Sequence, residues 1–515
     1  MPPVLASAMP LPESARLEAS EINAWRSLAL VAGAQAVCWF IAPLISSDAP
    51  PLDVVELSIW GTEHVIATYK NPALSSLLLE ASRLATGSIG WPAYILSQIA
   101  VVVTFICVFL LGREPLGEKR ALAGTLLLTA CYYFGWHTPE FNHDIISMPF
   151  WAATSLALWR AAETGRPMWW IILGLVAAGS VYCKLSAAVL LAAAGTWMLI
   201  DARARSRFAT PGPWLALVVF AVVVAPLAYW LAGGGLQMIA EYAVARGQKH
   251  AANAFKWIAI QAAMPIPMIL IAWGLGLLPI QKSSAADVSR NVTTLFSANG
   301  DRFTRFLLWM TAVPILLTAI IAILGNAGAK LMWGVPMLSL TGLLIMSQSP
   351  AAVSAAAVRR LSTTALAIIV GLSSAFAVAT YFKPQFASSI VRPNWPQAAI
   401  GKRMREIWQA ETGGLPLRIV AGDTMNWVSG LVIISQPVRP SLLTGGSYTR
   451  SPWVTPERVA AEGALVVWPD SESVLTGELE TLMGLRTRRY IEIPLPRPGR
   501  AKSVRIGYVV VPPQQ

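Results

Sequence analysis

The amino-acid sequence predicts an α-helical polytopic membrane protein with a small α/β domain at its C-terminal end. Hydrophobic residues make up 55% of the 515 residues, charged residues only 13%, and the mean hydropathy is +0.56. A soluble domain has roughly 25% charged residues, so this chain has too few to cover a water-exposed surface. The long apolar runs differ from the alternating segments of a transmembrane β-barrel. The same composition excludes a disordered or fibrous chain.

Apolar runs recur along the first three quarters of the chain. A membrane-crossing helix needs about 20 mostly apolar residues. On this criterion the sequence predicts eleven spans, at 26–45, 93–111, 121–136, 146–160, 169–183, 185–200, 213–232, 257–279, 305–324, 331–347 and 362–382. A tight turn at Lys184 is expected to separate the fifth span from the sixth. The first span, beginning near Trp25, is expected to act as an uncleaved anchor.

The basic residues in the connections predict the orientation in the membrane. The connections on the N-terminal side carry sixteen of them: Arg16, Arg26, Arg113, Lys119, Arg120, Arg160, Arg166, Arg203, Arg205, Arg207, Lys282, Arg290, Arg302, Arg305, Arg359 and Arg360. The opposite side carries seven before the C-terminal region: Lys70, Arg83, Lys184, Arg246, Lys249, Lys256 and Lys330. This asymmetry predicts a cytoplasmic N-terminus, with the C-terminal region on the opposite side of the membrane. It also accounts for the net charge of +12 without a nucleic-acid partner.

Two units are expected along the chain, a membrane domain at 1–382 and a soluble extracytoplasmic domain at 383–515. In the second unit, strand-like runs at 417–422, 464–468, 490–494 and 504–511 alternate with helix-like runs at 427–435 and 456–462. Alternating strands and helices are typical of an α/β domain. The turn at Gly422-Asp423-Thr424 lacks phosphate-loop spacing, so no nucleotide site is predicted. The four cysteines lie in or beside apolar runs without metal-site spacing, and neither a disulfide nor a zinc site is indicated.

Polar residues concentrate in two loops on the predicted extracytoplasmic side. The first loop, 46–92, contains Asp53, Glu56 and Lys70, and two short amphipathic helices are expected within it. The second loop places Glu140, His143 and Asp144 close together in sequence. This second-loop polar cluster matches no zinc signature, and a solvated loop or a divalent-metal site both stay open.

Three lysines on this side, Lys70, Lys184 and Lys330, interrupt apolar runs or occupy tight turns. Ionisable groups near the membrane are costly and indicate function, although Lys330 could also extend from a helix end towards water. Lysine suits a phosphate as a point charge, and a nearby carboxylate suits a general base. The pattern therefore predicts a site for a phosphate-containing substrate.

The motifs Asp53-x-x-Glu56 and Lys70-Asn71-Pro72-Ala73 resemble the first extracytoplasmic loop of the dolichyl-phosphate-mannose protein mannosyltransferase superfamily. The segments 52–61, 138–153 and 184–191 look similar to its bacterial members, the lipid A aminoarabinose transferases and lipopolysaccharide galacturonosyltransferases. The likeness covers roughly residues 26–350. Two departures are the alanine at position 73, where a second proline is common, and the separation of the usual adjacent Asp-Glu pair.

The resemblance implies a C-type glycosyltransferase fold and transfer of a sugar from a polyprenyl-phosphate donor. It implies that Asp53 is the base, with Glu56 as the open alternative, that Lys70 binds the donor phosphate, and that Asp144 is the acidic residue after the second loop. Position adds Lys184 and Lys330 to the phosphate site. The acceptor would be lipid A, a core saccharide or another envelope glycolipid, with no certain cofactor.

Two other function classes stay open at this point. One is a transporter or flippase of a lipid-linked saccharide, but the sequence lacks the related halves that such proteins usually show. The other is a non-catalytic protein of envelope assembly, which the need for Asp53 and Lys70 in sugar transfer would distinguish from an enzyme.

Overall fold

The computed structural model describes residues 23–245, 252–278, 301–325, 329–349, 353–422, 427–471 and 474–514. Helices make up most of the described residues up to 386, and a five-stranded sheet with helices follows among the described residues beyond them. Several predicted topology determinants lie outside the described residues: Arg16, Arg246, Lys249, Lys282 and Arg290. The part of the predicted turn formed by Asp423 and Thr424 also lies outside them.

The helices before the sheet vary widely in length. In chain order they are α1 (Ala24–Ser46), α2 (Leu52–Thr62), α3 (Leu74–Thr86), α4 (Gly90–Leu116), α5 (Glu118–Leu127), α6 (His143–Thr164), α7 (Pro167–Cys183), α8 (Ala187–Ile200), α9 (Ala202–Ser206), α10 (Pro211–Trp230), α11 (Leu236–Ala245), α12 (Ala252–Ala263), α13 (Ile266–Gly274), α14 (Arg302–Leu324), α15 (Thr341–Ser347) and α16 (Ala355–Phe386). The tight turn predicted at Lys184 separates α7 from α8.

Six helices among the described residues are long and apolar enough to cross a membrane. They are Ala24–Ser46, Gly90–Leu116, Pro211–Tyr242, Asn253–Gly274, Arg302–Leu324 and Ala355–Phe386. A seventh span results if the pair Ala187–Ile200 and Ala202–Ala209, bent by 84°, is counted as one. The protein is therefore multi-pass, but the predicted number of eleven spans is not confirmed.

Two of the predicted spans are broken into short pieces. The run 121–136 forms α5 and then two single-turn 3₁₀ helices, Leu128–Ala130 and Tyr132–Phe134. The run 331–347 begins with two 3₁₀ helices, and only Thr341–Ser347 is α-helical. Apolar composition alone does not distinguish a spanning helix from a short segment buried among other helices.

The short helices α5 and α15 pack closely, as their glycines show. A side chain at Gly124 would meet the backbone of Gly342 at 2.9 Å, and one at Gly342 would meet the Gly124 carbonyl oxygen at 1.9 Å. Residues 121–127 of α5 are all buried, and most of α15 is buried as well. Their apolar residues are therefore covered by protein.

The first predicted loop holds α2 and α3, as expected, and neither belongs to the candidate spans. Gly87 ends α3 in the left-handed conformation, with φ of 70°, which glycine adopts at little cost. The last membrane helix, α16, ends at Phe386, four residues beyond the predicted boundary at 382. The division of the chain into 1–382 and 383–515 stays a proposal.

The C-terminal region forms the expected small α/β domain. Its helices are α17 (Gln397–Glu411), α18 (Trp427–Ile434), α19 (Pro456–Glu462) and α20 (Gly477–Met483), and its strands are β1 (Ile419–Gly422), β2 (Ser441–Thr444), β3 (Ala464–Pro469), β4 (Arg489–Pro494) and β5 (Ser503–Val511). The strand order is β2-β1-β3-β5-β4. Strand β1 pairs in parallel with β2 and β3, whereas β5 is antiparallel to β3 and β4.

The C-terminal domain packs directly on α2, the helix that carries Asp53 and Glu56. A side chain at Gly430 of α18 would meet Val55 Cγ1 at 2.3 Å and Ile59 Cδ1 at 3.1 Å. Val55 and Ile59 are 0% and 1% exposed, and they belong to the hydrophobic core of the C-terminal domain. Because only glycine allows this approach, the two helices are in close contact at Gly430.

Two half-buried arginines of the C-terminal domain reinforce this contact. Arg439 donates to the carbonyl oxygen of Ser58 at 3.1 Å and to Thr62 Oγ1 at 2.9 Å, and it pairs with Glu80 of α3. Arg497 binds Asp48 Oδ2 at 2.6 Å and the Ser46 carbonyl oxygen at 2.8 Å. The domain is thus held against α2, α3 and the end of α1.

Candidate active site

Helix α2 presents two carboxylates at its beginning. Asp53 lies in the first turn, where negative charge suits the positive end of the helix dipole. Glu56 is three residues further on, so the two side chains project from the same side of the helix. Asp53 is half-buried and Glu56 is 9% exposed. Both candidate carboxylates therefore lie together.

Lys70 lies in a tight turn between α2 and α3. An isolated bridge pairs Ala67 with Pro72, and Thr68 accepts hydrogen bonds from the backbone N–H groups of Lys70 and Asn71 through its hydroxyl. The Thr68 N–H donates to the Asn71 carbonyl oxygen at 2.9 Å. These bonds fix the backbone from which the Lys70 side chain extends.

The Lys70 ammonium group forms an ion pair with Glu56 and lies against three aromatic rings. Its Nζ atom is 5.4 Å from the ring centroid of Trp60, 5.5 Å from Tyr69 and 5.4 Å from Tyr242. Burial acts against the charge, but the Glu56 carboxylate more than offsets it and raises the pKa of Lys70. Lys70 is therefore a partly buried cation.

Asn142 connects the second loop to Asp53. Its Nδ2 group donates to Asp53 Oδ2 at 3.2 Å, although the two residues are 89 positions apart in sequence. Its Oδ1 atom accepts from the backbone N–H groups of Asp144 and Ile145, which makes Asn142 the N-cap of α6. One side chain thus fixes the start of α6 and contacts the candidate base.

Asp144 and Lys184 form a second ion pair in this region. Lys184 Nζ lies 2.8 Å and 3.0 Å from the two carboxylate oxygens of Asp144. The two side chains are only 15% and 5% exposed. Lys184 Nζ also lies 5.5 Å from the ring centroid of Trp333, in the segment that follows Lys330.

Lys330 is exposed, and its charge acts on Asp53. Its backbone carbonyl oxygen accepts a hydrogen bond of 2.9 Å from Trp257 Nε1. The 3₁₀ helix Leu331–Gly334 follows directly, and the Leu331 carbonyl oxygen accepts from the hydroxyl of Tyr133 at 2.7 Å. Helix α12 and the second-loop region therefore fix the backbone beside Lys330.

The other two members of the second-loop polar cluster differ in exposure. The Glu140 side chain is 53% exposed, and its carboxylate is 3.9 Å from His137 Nδ1. His143 is the first residue of α6, and burial with the charges of Lys184 and Lys70 lowers its pKa to about 3. Its imidazole is therefore neutral. In the part of the chain that the structure describes, no three His, Cys, Asp or Glu side chains converge to hold a metal ion.

The predicted residues share one electrostatic environment. Burial raises the pKa of Asp53, and the charges of Glu56 and Asp144 raise it further, while Asn142 and Lys330 act in the opposite direction. A carboxylate with a raised pKa is a stronger base, and carboxylates tuned upward in this way are typical of general bases. Since Glu56 is paired with Lys70, we interpret Asp53 as the better placed base.

Replacing Asn142 with serine tests whether the hydrogen bond from Asn142 lowers the pKa of Asp53. Serine can still cap α6 but is too short to reach Asp53 Oδ2, so the pKa of Asp53 should rise further. The base works in its ionised form, and a higher pKa leaves more of it protonated at each pH. The acidic limb of the rate–pH profile is therefore expected to move to higher pH. An unchanged acidic limb contradicts this interpretation.

The class of protein is indicated by a family match. Residues 70–230 match the family described as dolichyl-phosphate-mannose-protein mannosyltransferase. The matched segment contains Lys70, the second-loop polar cluster and Lys184, and it confirms the resemblance predicted from the sequence. No curated protein matches this chain in sequence.

Solved structures identify the fold more closely. Two crystal structures of ArnT from Cupriavidus metallidurans, one bound to undecaprenyl phosphate and one in the apo state, match with a TM-score of 0.61 at 12% identity. The match covers 93% of this chain and 97% of the ArnT chain. A crystal structure of the Archaeoglobus fulgidus oligosaccharyltransferase matches with a TM-score of 0.45 at 13% identity, over 89% of this chain and 69% of that chain. The ArnT match confirms the predicted C-type glycosyltransferase fold.

Sequence reasoning missed several residues of this site. Asn142 precedes a helical run, and the preference of asparagine for the N-cap could have identified its structural role. The sequence did not indicate that the rings of Trp60 and Tyr69 face Lys70. Tyr242 gave no signal either, because it approaches from a distant helix.

Proposed function

We propose that this protein is a membrane glycosyltransferase that moves a sugar from a polyprenyl phosphate to an envelope acceptor. The observation that carries the proposal is the convergence of residues from separate connections. Asn142 contacts Asp53 and caps the helix that carries Asp144, Asp144 pairs with Lys184, and Lys70 pairs with Glu56 on the helix of Asp53. A carboxylate with a raised pKa beside two lysine–carboxylate pairs suits a reaction in which a hydroxyl loses a proton and a phosphate departs.

The proposed mechanism is a single displacement with inversion at the anomeric carbon. Asp53 takes the proton from the acceptor hydroxyl, the hydroxyl oxygen bonds to the anomeric carbon, and the bond from that carbon to the phosphate oxygen breaks. Lys70, Lys184 and Lys330 offset the charge that develops on the departing polyprenyl phosphate. A single well-placed donor group of this kind contributes about 3–4 kcal/mol of transition-state stabilisation.

An apolar groove supports a lipid-linked donor. The groove has a volume of about 300 Å³ and runs between α1 and α4, where it is lined by Ala36, Val37, Phe40, Ile95, Ile99, Val102 and Val103. Gln98, also at the groove, donates to Thr138 Oγ1 in the second loop at 3.1 Å. We propose that the prenyl tail lies in this groove. The undecaprenyl phosphate in the similar ArnT structure is consistent with such a ligand.

We propose that the acceptor is lipid A, a core saccharide or another envelope glycolipid, reached from the periplasmic side of a bacterial inner membrane. Mass spectrometry of envelope glycolipids with and without the protein tests this function. Loss of one sugar from a glycolipid species when the protein is removed is the expected result, and it would identify both substrates. Glycolipid profiles that do not differ contradict the proposal.

The orientation is tested by a reporter fused after Gln515. The excess of basic residues on the N-terminal side leads us to expect an active phosphatase reporter, which requires export to the periplasm. A fusion after Arg205, in a connection predicted to be cytoplasmic, is the matched control and should be inactive. The opposite pattern would place both the C-terminal domain and the site on the cytoplasmic side.

A further inference from the structure

The contact between Glu56 and Lys70 bears on how the donor binds. The two side chains are 11% and 16% exposed, so their ion pair is largely shielded from water. Removing one partner from a shielded pair leaves an uncompensated charge, which is strongly destabilising. Lys70 therefore requires an anion next to it whether or not a donor is present.

The space around the Lys70 ammonium group is already occupied on several sides. Three aromatic rings lie at 5.4 to 5.5 Å, and Glu56 is in direct contact with it. Glu56 and Trp60 are one helical turn apart on α2, so the carboxylate and one ring are fixed by the same helix. A phosphate oxygen cannot contact Lys70 as closely as Glu56 does unless the carboxylate withdraws or shares the ammonium.

We propose that, without donor, the Glu56 carboxylate occupies the place beside the Lys70 ammonium group that the donor phosphate takes. When the donor binds, its phosphate replaces the carboxylate as the partner of Lys70. This proposal rests on the proposed function, because it takes Lys70 as a phosphate ligand. Glu56 is then an affinity-determining residue, and Asp53 keeps the role of base. The exchange keeps Lys70 paired in both states and weakens donor binding by the free energy of the displaced ion pair.

The test is binding of undecaprenyl phosphate to full-length protein in nanodiscs, measured by titration without any acceptor. Glu56→Gln removes the competing charge with little change in size, and we expect its Kd to fall by about tenfold. Glu56→Asp keeps the charge on a shorter side chain and should give an intermediate Kd. Glu406→Gln is the matched control, since Glu406 is an exposed carboxylate of the C-terminal domain that pairs with Arg403, and its Kd should equal that of the wild type.

A double-mutant cycle separates exchange on Lys70 from a general effect of charge. In protein that also carries Lys70→Met, Glu56→Gln should leave the Kd unchanged. The ammonium group for which the carboxylate and the phosphate compete is then absent. A weaker or unaltered affinity in Glu56→Gln alone, or an equal gain in both backgrounds, overturns the proposal. If no variant binds the lipid, the proposal fails together with the proposed donor. If the variants bind as expected but the wild-type protein transfers no sugar, only the proposed function is overturned.

Discussion

Replacing Asp53 with asparagine is expected to lower the rate of sugar transfer by at least about a hundredfold. Asparagine has almost the same size and still accepts a hydrogen bond, but it cannot take the proton of an acceptor hydroxyl. The raised pKa of Asp53 shows that its surroundings favour proton uptake. The measurement is single-turnover transfer by purified protein in nanodiscs with saturating donor.

The control for this substitution is Asp470→Asn. Asp470 is an exposed carboxylate of the C-terminal domain that faces Arg505 at 3.7 Å, and its replacement should leave the rate unchanged. Both variants should insert into the membrane as the wild type does, and their stability against unfolding should be the same. If Asp53→Asn transfers sugar at nearly the normal rate, Asp53 is not the base, and Glu56 becomes the next carboxylate to replace.

Removing Lys70 or Lys184 is expected to raise the apparent KM for the donor and to lower turnover. Each alanine variant loses a cation that would bind the donor phosphate. Each also leaves a shielded carboxylate, Glu56 or Asp144, without its lysine. Lys70→Arg should keep partial activity, because charge matters more than shape at a point-charge contact.

Donor titration of the purified variants measures this effect. Lys256→Ala is the matched control, since Lys256 is an exposed lysine on a connection predicted to face the same side. Its KM should equal that of the wild type. Unchanged donor dependence in both Lys70→Ala and Lys184→Ala would remove the proposed phosphate site even if sugar transfer itself were demonstrated.

The sequence was most informative where local chemistry decides structure. Lys184 interrupts an apolar run and does separate two helices, and the strand at 464–468 differs from β3 by one residue. Strand β2 was missed because its four residues follow a proline and are too few to show a period. Helix α17 was missed because its mean polarity resembles that of a solvated connection, although one face packs in the C-terminal core.

The candidate site could be predicted only in part for a related reason. Lys70 and Lys184 stand out together because lysines in apolar runs or tight turns near a membrane are unusual, whereas the role of Asp53 follows from the family resemblance of its loop. Their partners depend on contacts across many residues, as between Asn142 and Asp53 or between Lys70 and Tyr242. A single sequence does not show which residues far apart in the chain are in contact in the fold.

The close contact at Gly430 and the bonds of Arg439 have a consequence for chimeric proteins. They make residues 46–92 and the C-terminal domain complementary surfaces that must change together. A domain taken from a relative brings its own residue at the position of Gly430, and any side chain there strikes Val55. A chimeric protein should therefore fold stably when both segments are transplanted as one module, and it should be destabilised when either is transplanted alone.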